Sequence, residues 1–249
     1  MKTIKHKKLL ISLAATVLLF ALTVGGCALY VSDYYRADLG AIQVFAAGSN
    51  VDKRALNDRA IAYGDPDSQI GFIFYPGGKV EYKSYEPLMI ELASRGAFCV
   101  LIEMPFNLAV LDVNAADGVR ESFPVVARWY IGGHSLGGSM AASYVANHTD
   151  SFGGIVLLGA YSTADLSVAG IDVLSLYGSE DRVMNREKYD KYKENLPNDL
   201  NETVIEGGCH AYFGMYGEQD GDGVPTISAE EQIRKTAEYI TDFFLKGER

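Results

Sequence analysis

Short apolar runs alternate with segments of helical spacing over most of this 249-residue chain, and this alternation limits the fold more than any other feature. The run "AFCVLIEM" (97–104) is apolar at successive positions, as in a strand covered on both faces. The segment "SYEPLMIELASRG" (84–96) has helical spacing and a glycine stop. Further strands are predicted at 71–78, 128–133, 152–160, 171–179 and 201–208, and further helices at 107–119, 135–148, 185–196 and 228–247. Such alternation predicts an α/β fold, with a mostly parallel central sheet and helices on both faces.

The first 31 residues differ from the rest of the chain. Four lysines (Lys2, Lys5, Lys7 and Lys8) precede an uncharged apolar run over 9–31. As a helix this run would be about 34 Å long, enough to cross a bilayer, and the lysines would remain on the cytoplasmic side. We predict an uncleaved single-pass anchor in the cell membrane, with the remainder extracytoplasmic. The alternative is a lipoprotein anchored at Cys27, because "VGGC" (24–27) resembles a loose cleavage box, although the apolar run continues beyond it.

The remainder of the chain, 32–249, is predicted to be one domain, because no repeat, low-complexity tract or linker divides it. The whole chain has a formal net charge of −10, and without the four N-terminal lysines that charge becomes −14. An acidic surface disfavours nucleic acid and anionic lipid headgroups as partners. Two cysteines of this part, Cys99 and Cys209, are predicted to be free thiols.

The pentapeptide "GHSLG" (133–137) places Ser135 between a predicted strand and a predicted helix. This G-x-S-x-G pattern in that context is typical of a nucleophile held on a sharp turn, where flanking glycines avoid collisions between side chains. The N-terminus of the following helix would direct free N–H groups at an anion forming there. The simpler alternative is a glycine-rich turn with an incidental serine.

A serine nucleophile needs a base, and the chain contains four histidines. His6 lies in the basic tail, and His148 lies about 20 Å away at the far end of the helix that follows Ser135. His134 adjoins the serine, but its side chain is expected to point away on such a turn. His210 remains, just past the last predicted strand, and we predict that it is the general base.

The histidine in turn needs a carboxylate to orient it. "LSLYGSEDRV" places Glu180 and Asp181 directly after a predicted strand. Asp181 is the first candidate, Glu180 the second, and Asp165, after the preceding strand, the third. The resulting order of serine, aspartate and histidine along the chain is the order expected for a nucleophile on a strand-to-helix turn of such a sheet.

An oxyanion hole would combine the N–H of Leu136 with one from the loop in "YPGGKVEY" (75–82), where Gly78 or Lys79 is the candidate donor. No Cys/His cluster suggests zinc, and no dinucleotide or phosphate loop is present, so neither a metal nor a cofactor is predicted. Asp220 and Asp222 in "DGDG" (220–223) have the spacing of calcium ligands, but the remaining ligands of such a loop are missing. We interpret this segment as a structural turn.

Five stretches together resemble the alpha/beta hydrolase fold-5 family, which is similar to dienelactone hydrolases. They are "YPGGKVEYKSYEPL", "MPFNLAVLDVNAAD", "GGHSLGGSMAA", "YGSEDRV" and "GGCHAYFGMYGEQDGDG". The resemblance covers the chain from about residue 34 to its end and implies a triad of Ser135, Asp181 and His210. Cys209 departs from the asparagine more often found beside the histidine. The nucleophile is serine where dienelactone hydrolases have cysteine, so lactone specificity does not transfer.

These observations predict a serine hydrolase that cleaves small or medium carboxylic esters through an acyl-enzyme. The short connection between the strands at 152–160 and 171–179 leaves room for only a minimal lid. The alternatives are an amidase or peptidase with the same triad, or a non-catalytic, surface-anchored binding module. The predicted partners are a small-molecule ester and, through the N-terminal helix, the membrane.

Overall fold

The computed structural model describes the backbone of residues 2–246 and the side chains of residues 13 and 15–246. The interpretation of the N-terminal lysines and of His6 therefore concerns side chains outside the described residues. By internal contacts the chain divides into two units, Met1–Tyr34 and Tyr35–Arg249. The first unit is a helix, α1 (Lys2–Ser32), and its segment Ala15–Ser32 is long and apolar enough to cross a membrane. A secretion signal near an N-terminus has the same properties.

The second unit is built on one eight-stranded sheet. The strands are β1 (Lys53–Asn57), β2 (Ala60–Tyr63), β3 (Ile70–Tyr75), β4 (Phe98–Ile102), β5 (Arg128–His134), β6 (Gly154–Leu158), β7 (Asp172–Gly178) and β8 (Asn201–Ile205). Their spatial order is β1-β2-β4-β3-β5-β6-β7-β8. Strands β3 to β8 pair in parallel, and β1 and β2 add an antiparallel edge beside β4. The predicted mostly parallel sheet is confirmed.

Helices cover both faces of the sheet. They are α2 (Leu39–Ala46), α3 (Glu86–Ser94), α4 (Leu136–Val145), α5 (Arg186–Tyr192) and α6 (Ala229–Lys246). Alternate residues of β3 enter different cores, because successive side chains of a strand point to opposite faces. Phe72 and Phe74 pack in the core that contains the buried residues of α3 and α6. Ile73 and Tyr75 pack in the core that contains those of α4.

Helices α5 and α6 each begin at a residue whose side chain caps the first turn. The Ser228 hydroxyl accepts a hydrogen bond from the Glu231 N–H at 3.1 Å at the start of α6. The Asn185 side chain accepts one from the Lys188 N–H at 2.8 Å and starts α5. Helix α6 was predicted to end at residue 247, which lies outside the described residues.

The predicted helix over 107–119 is wrong. The structure has the end of one 3₁₀ turn, Pro105–Asn107, then a second 3₁₀ turn, Ala109–Leu111, followed by further turns. The buried Tyr75 hydroxyl accepts a hydrogen bond from the Ala116 N–H and donates one to the Val113 carbonyl, each at 2.9 Å. A side chain from the sheet thus satisfies backbone groups that a helix would have paired internally, and the asparagine and aspartates of the segment favour turns.

Candidate active site

Ser135 lies on the sharp turn between β5 and α4. Its backbone has φ 52° and ψ −121°, a conformation that residues other than glycine seldom adopt. Such strain costs about 1–3 kcal/mol and persists only where the surroundings enforce it. Here the Ser135 N–H donates a 2.9 Å hydrogen bond to the Leu158 carbonyl at the end of β6. The turn therefore holds the serine at the carboxyl end of the sheet.

The turn requires a glycine at position 137, the second flanking glycine of the pattern. A β-carbon at this position would lie 2.2 Å from the Pro76 carbonyl oxygen and 2.3 Å from that of Tyr75. Both are backbone atoms and cannot yield as the end of a flexible side chain can. The start of α4 is thus in close contact with the loop that follows β3.

Asp181 and His210 form a buried pair. The His210 Nδ1 lies 2.8 Å from the Asp181 Oδ2, and both side chains are only 1% exposed. The other carboxylate oxygen, Oδ1, accepts hydrogen bonds from the N–H groups of Val183, at 3.0 Å, and Met184, at 2.9 Å. Both lobes of the carboxylate are therefore engaged, so Asp181 is held in one orientation toward the imidazole.

The end of β6 brings these groups together with the serine. Gly159 follows Leu158, whose carbonyl accepts the Ser135 N–H. A β-carbon built on Gly159 would lie 2.9 Å from the His210 Nδ1 and 3.1 Å from the Asp181 Oδ2. Serine, histidine and aspartate thus surround the same strand end, which is where ligands bind in parallel α/β sheets.

The other two carboxylate candidates contact different groups. The Glu180 carboxylate accepts a 3.2 Å hydrogen bond from the Ser179 hydroxyl. Asp165 accepts hydrogen bonds from the Ser167 hydroxyl and N–H, and these bonds lower the pKa of its carboxyl group. Of the three predicted carboxylates, Asp181 is the one that contacts His210.

The remaining described histidines have other environments. His148 lies at the far end of α4, where its Nδ1 is 2.8 Å from the Tyr144 carbonyl oxygen. His134 is 1% exposed, and its Nδ1 lies 2.7 Å from the Tyr85 hydroxyl. Burial, followed by the nearby charge of His210, lowers the pKa of His134 well below its ordinary value. The His134 and His210 rings lie 4.4 Å apart between centroids.

The three candidate oxyanion donors lie at one place but differ in their hydrogen bonds. Leu136 is the first residue of α4, and an N–H in that position has no acceptor within the helix. A β-carbon on Gly78 would touch the Leu136 side chain at 2.9 Å, so the two backbones are adjacent. The Lys79 N–H donates a 2.8 Å hydrogen bond to the Asn107 carbonyl, which leaves Gly78 as the available donor of that pair.

Three residues that the sequence did not assign to the site contact its loops. Tyr85 accepts a 3.1 Å hydrogen bond from the Gly77 N–H, beside Gly78. Gln232 of α6 pairs with both backbone groups of Cys209, and Asp222 accepts the Ala211 N–H. Of these three residues, only Asp222 lies in a segment that the sequence analysis had singled out, "DGDG" (220–223). Among the described side chains, no group of three or more His, Cys, Asp or Glu residues is arranged to hold a metal ion.

A parallel sheet with a serine on a strained strand-to-helix turn defines the α/β-hydrolase class of fold. The chain belongs to the alpha/beta hydrolase family, whose sequence pattern matches residues 71–234, more than half of its length. The fold and the family predicted from the sequence are confirmed.

Solved structures share this fold at low sequence identity. A CIB-like hydrolase of Thermoplasma acidophilum is 16% identical with a TM-score of 0.58, covering 78% of this chain and 100% of that one. Est1E of Butyrivibrio proteoclasticus is 14% identical with a TM-score of 0.54, covering 79% and 98%. A dienelactone hydrolase of Anabaena variabilis is 13% identical with a TM-score of 0.56, covering 79% and 96%.

The chain is also similar to an uncharacterized protein of Corynebacterium glutamicum. The two are 24% identical over 170 residues, which is 63% of this chain. The same region is 38% of the relative, so the match spans well under half of that longer protein.

Proposed function

We propose that this protein is a serine hydrolase that cleaves small or medium carboxylic esters through an acyl-enzyme. The observation that carries the proposal is the buried Asp181–His210 pair beside the strained turn that presents Ser135. A histidine oriented by a fixed carboxylate is the arrangement that removes a proton from a serine hydroxyl.

The mechanism assigns one task to each group. The Ser135 Oγ attacks the ester carbonyl carbon while His210 takes the hydroxyl proton, and Asp181 stabilises the imidazolium that results. The N–H groups of Leu136 and Gly78 bind the oxyanion of the tetrahedral intermediate. His210 then donates its proton to the departing alcohol oxygen, which leaves an acyl group on Ser135. Water, activated by the same histidine, releases the acid and restores the serine.

The preference for small or medium substrates follows from the connection between β6 and β7. Residues 159–171 form turns and contain no helix that could act as a lid. A site of this kind fits a compact acyl group better than a long chain buried along its length. A series of p-nitrophenyl esters of increasing acyl length tests this point, and activity that rises toward the longest chains would contradict it.

Covalent labelling with a fluorophosphonate probe tests the proposed nucleophile. We expect the wild-type protein to react and Ser135→Ala to remain unlabelled. Ser143→Ala, which removes a hydroxyl later in α4, is the matched control and should react like the wild type. An unlabelled wild type would favour the non-catalytic binding module. Labelling combined with faster cleavage of aminoacyl amides than of aryl esters would favour the amidase or peptidase.

We also propose that α1 is retained as a single-pass membrane anchor and that residues 32–249 lie outside the cytoplasm. The apolar segment Ala15–Ser32 and the N-terminal lysines support this topology. Alkaline carbonate extraction and protease accessibility of intact spheroplasts test it. A protein released by carbonate would indicate cleavage, and palmitate labelling abolished by Cys27→Ser would indicate the lipoprotein alternative.

A further inference from the structure

The Asp222 carboxylate joins two loops. One carries Asp181 and is called the acid loop, and the other carries His210 and is called the histidine loop. The Asp222 Oδ2 accepts a 2.8 Å hydrogen bond from the N–H of Ala211, the residue after His210. Its Oδ1 accepts a 3.3 Å hydrogen bond from the N–H of Arg182, the residue after Asp181. One side chain therefore binds the backbone immediately after each member of the buried pair.

Close backbone packing fixes the segment that carries this carboxylate. Gly223 lies so near the acid loop that a β-carbon there would be 1.9 Å from the Glu180 carbonyl oxygen. Glu180 in turn donates a 2.8 Å hydrogen bond from its N–H to the Gly208 carbonyl of the histidine loop. Asp222 thus stands where the two loops already meet.

The other side of His210 is held by a different kind of contact. Gln232 is fully buried in α6 and binds the Cys209 N–H at 3.0 Å and the Cys209 carbonyl at 2.8 Å. This contact fixes the histidine loop alone. Asp222 fixes the histidine loop relative to the acid loop, and hydrogen bonds to an ionised carboxylate are about twice as strong as neutral ones.

We propose that Asp222 is a positioning residue that sets the distance and angle between Asp181 and His210. The inference rests on the proposed serine hydrolase function and adds a specific role for the "DGDG" segment. The Asp222 side chain is proposed to touch no substrate and to act only through the two loops. Its loss should therefore slow turnover and leave substrate binding unchanged.

The test compares Asp222→Asn with Asp220→Asn. Both replace an aspartate of the same segment by its neutral isostere, but Asp220 contributes its backbone N–H, not its carboxylate, to the hydrogen bond with the Tyr35 hydroxyl. With p-nitrophenyl acetate, we expect Asp222→Asn to lower kcat about 10- to 100-fold and to keep KM within about twofold. Asp220→Asn should match the wild type in both constants.

Proton NMR supplies a second readout that a purely structural role would not change. A histidine Nδ1–H bonded to a carboxylate gives a far-downfield resonance, which we expect in the wild type and in Asp220→Asn. In Asp222→Asn this resonance should broaden or disappear while the thermal unfolding transition remains cooperative. The signal does not depend on turnover.

The outcomes separate this inference from the proposed function. A wild type that neither reacts with fluorophosphonate nor hydrolyses the ester overturns the proposed function. An active wild type, with Asp222→Asn equal to Asp220→Asn in kcat and resonance, overturns the positioning role. If Asp222→Asn does not fold, Asp222→Glu is measured instead, with an expected severalfold loss of kcat. If Asp222→Glu has the same kcat as the wild type, Asp222 is needed for folding and not for positioning the pair.

Discussion

The Tyr85 hydroxyl and the His134 Nδ1 lie 2.7 Å apart in the core, directly beneath the turn that carries Ser135. The same hydroxyl accepts the Gly77 N–H at 3.1 Å. Burial raises the pKa of Tyr85 and lowers that of His134, so both groups are neutral. The hydroxyl and the Nδ1 therefore share one hydrogen bond, and the tautomer of His134 decides which of the two donates. A chain of buried hydrogen bonds thus connects the serine turn to the loop of Gly78.

Tyr85→Phe should weaken both the fold and the site. The change leaves the Gly77 N–H and the His134 Nδ1 buried without a partner, which costs about 1–3 kcal/mol of unfolding free energy. The loop with Gly78 should also be held less firmly, so we expect a lower kcat. Urea unfolding and ester hydrolysis measure the two effects. Tyr239→Phe, at an exposed position of α6, is the control and should change neither. Equal stability of the two variants would contradict the role given to the hydroxyl.

The neutral state of His134 makes stability depend on pH. The folded-state pKa lies well below the ordinary value of 6.5, mainly because the ring is buried. As the pH falls below that value, the unfolded chain takes up a proton before the folded one does. The stabilisation is therefore complete above pH 6.5 and is lost as the pH falls through the folded-state pKa.

Urea unfolding of the wild type and of His134→Gln over a range of pH isolates this contribution. Below the ordinary histidine pKa, we expect the wild-type free energy of unfolding to fall more steeply, by up to about 1.4 kcal/mol per pH unit. The variant lacks the titrating ring and is expected to show the smaller slope, whatever its absolute stability. Parallel curves for the two proteins would mean that His134 takes up its proton equally in both states.

Asp181→Asn tests whether His210 needs a carboxylate beside it, because the variant keeps a polar side chain of the same size at this position. The amide cannot stabilise the imidazolium, and it favours the wrong tautomer of His210, so we expect kcat to fall about 10³- to 10⁴-fold. Glu180→Gln is the control, since that carboxylate contacts Ser179 and not the histidine. A near-normal Asp181→Asn combined with a slow Glu180→Gln would reverse the two assignments.

The sequence predicts the parts of this structure that are governed by local patterns. Continuous apolar runs mark the buried parallel strands, and chain order with strand ends selects Ser135, Asp181 and His210 as candidates. The strand β1 has no such pattern, because four of its five residues are exposed at the sheet edge. The helix α2 is short and follows the apolar segment closely. Neither was predicted.

Contacts between distant segments account for the other differences. The turns within 107–119 depend on the Tyr75 hydroxyl, which arrives from a strand more than 30 residues earlier. The contacts of Asp222 depend on two loops meeting at Gly208, which spacing along the chain does not reveal. The carboxylate assignment had the same limit, because Glu180 and Asp181 are adjacent and only the folded loop shows which one reaches His210.

Gly137→Ala should damage both the fold and the site, although it adds only one methyl group. The new β-carbon would lie 2.2 Å from the Pro76 carbonyl oxygen, so either the start of α4 or the loop after β3 has to move. Either movement separates Leu136 from Gly78, and we expect loss of fluorophosphonate labelling together with a lower thermal unfolding temperature. Gly40→Ala is the matched control: its β-carbon would lie 3.4 Å from Asp38 Oδ1, an ordinary contact. Alanine favours helix over glycine by up to about 1 kcal/mol, so this control should be as stable as the wild type or more so. A labelled and stable Gly137→Ala protein would show that the contact with the loop after β3 is not needed to present Ser135.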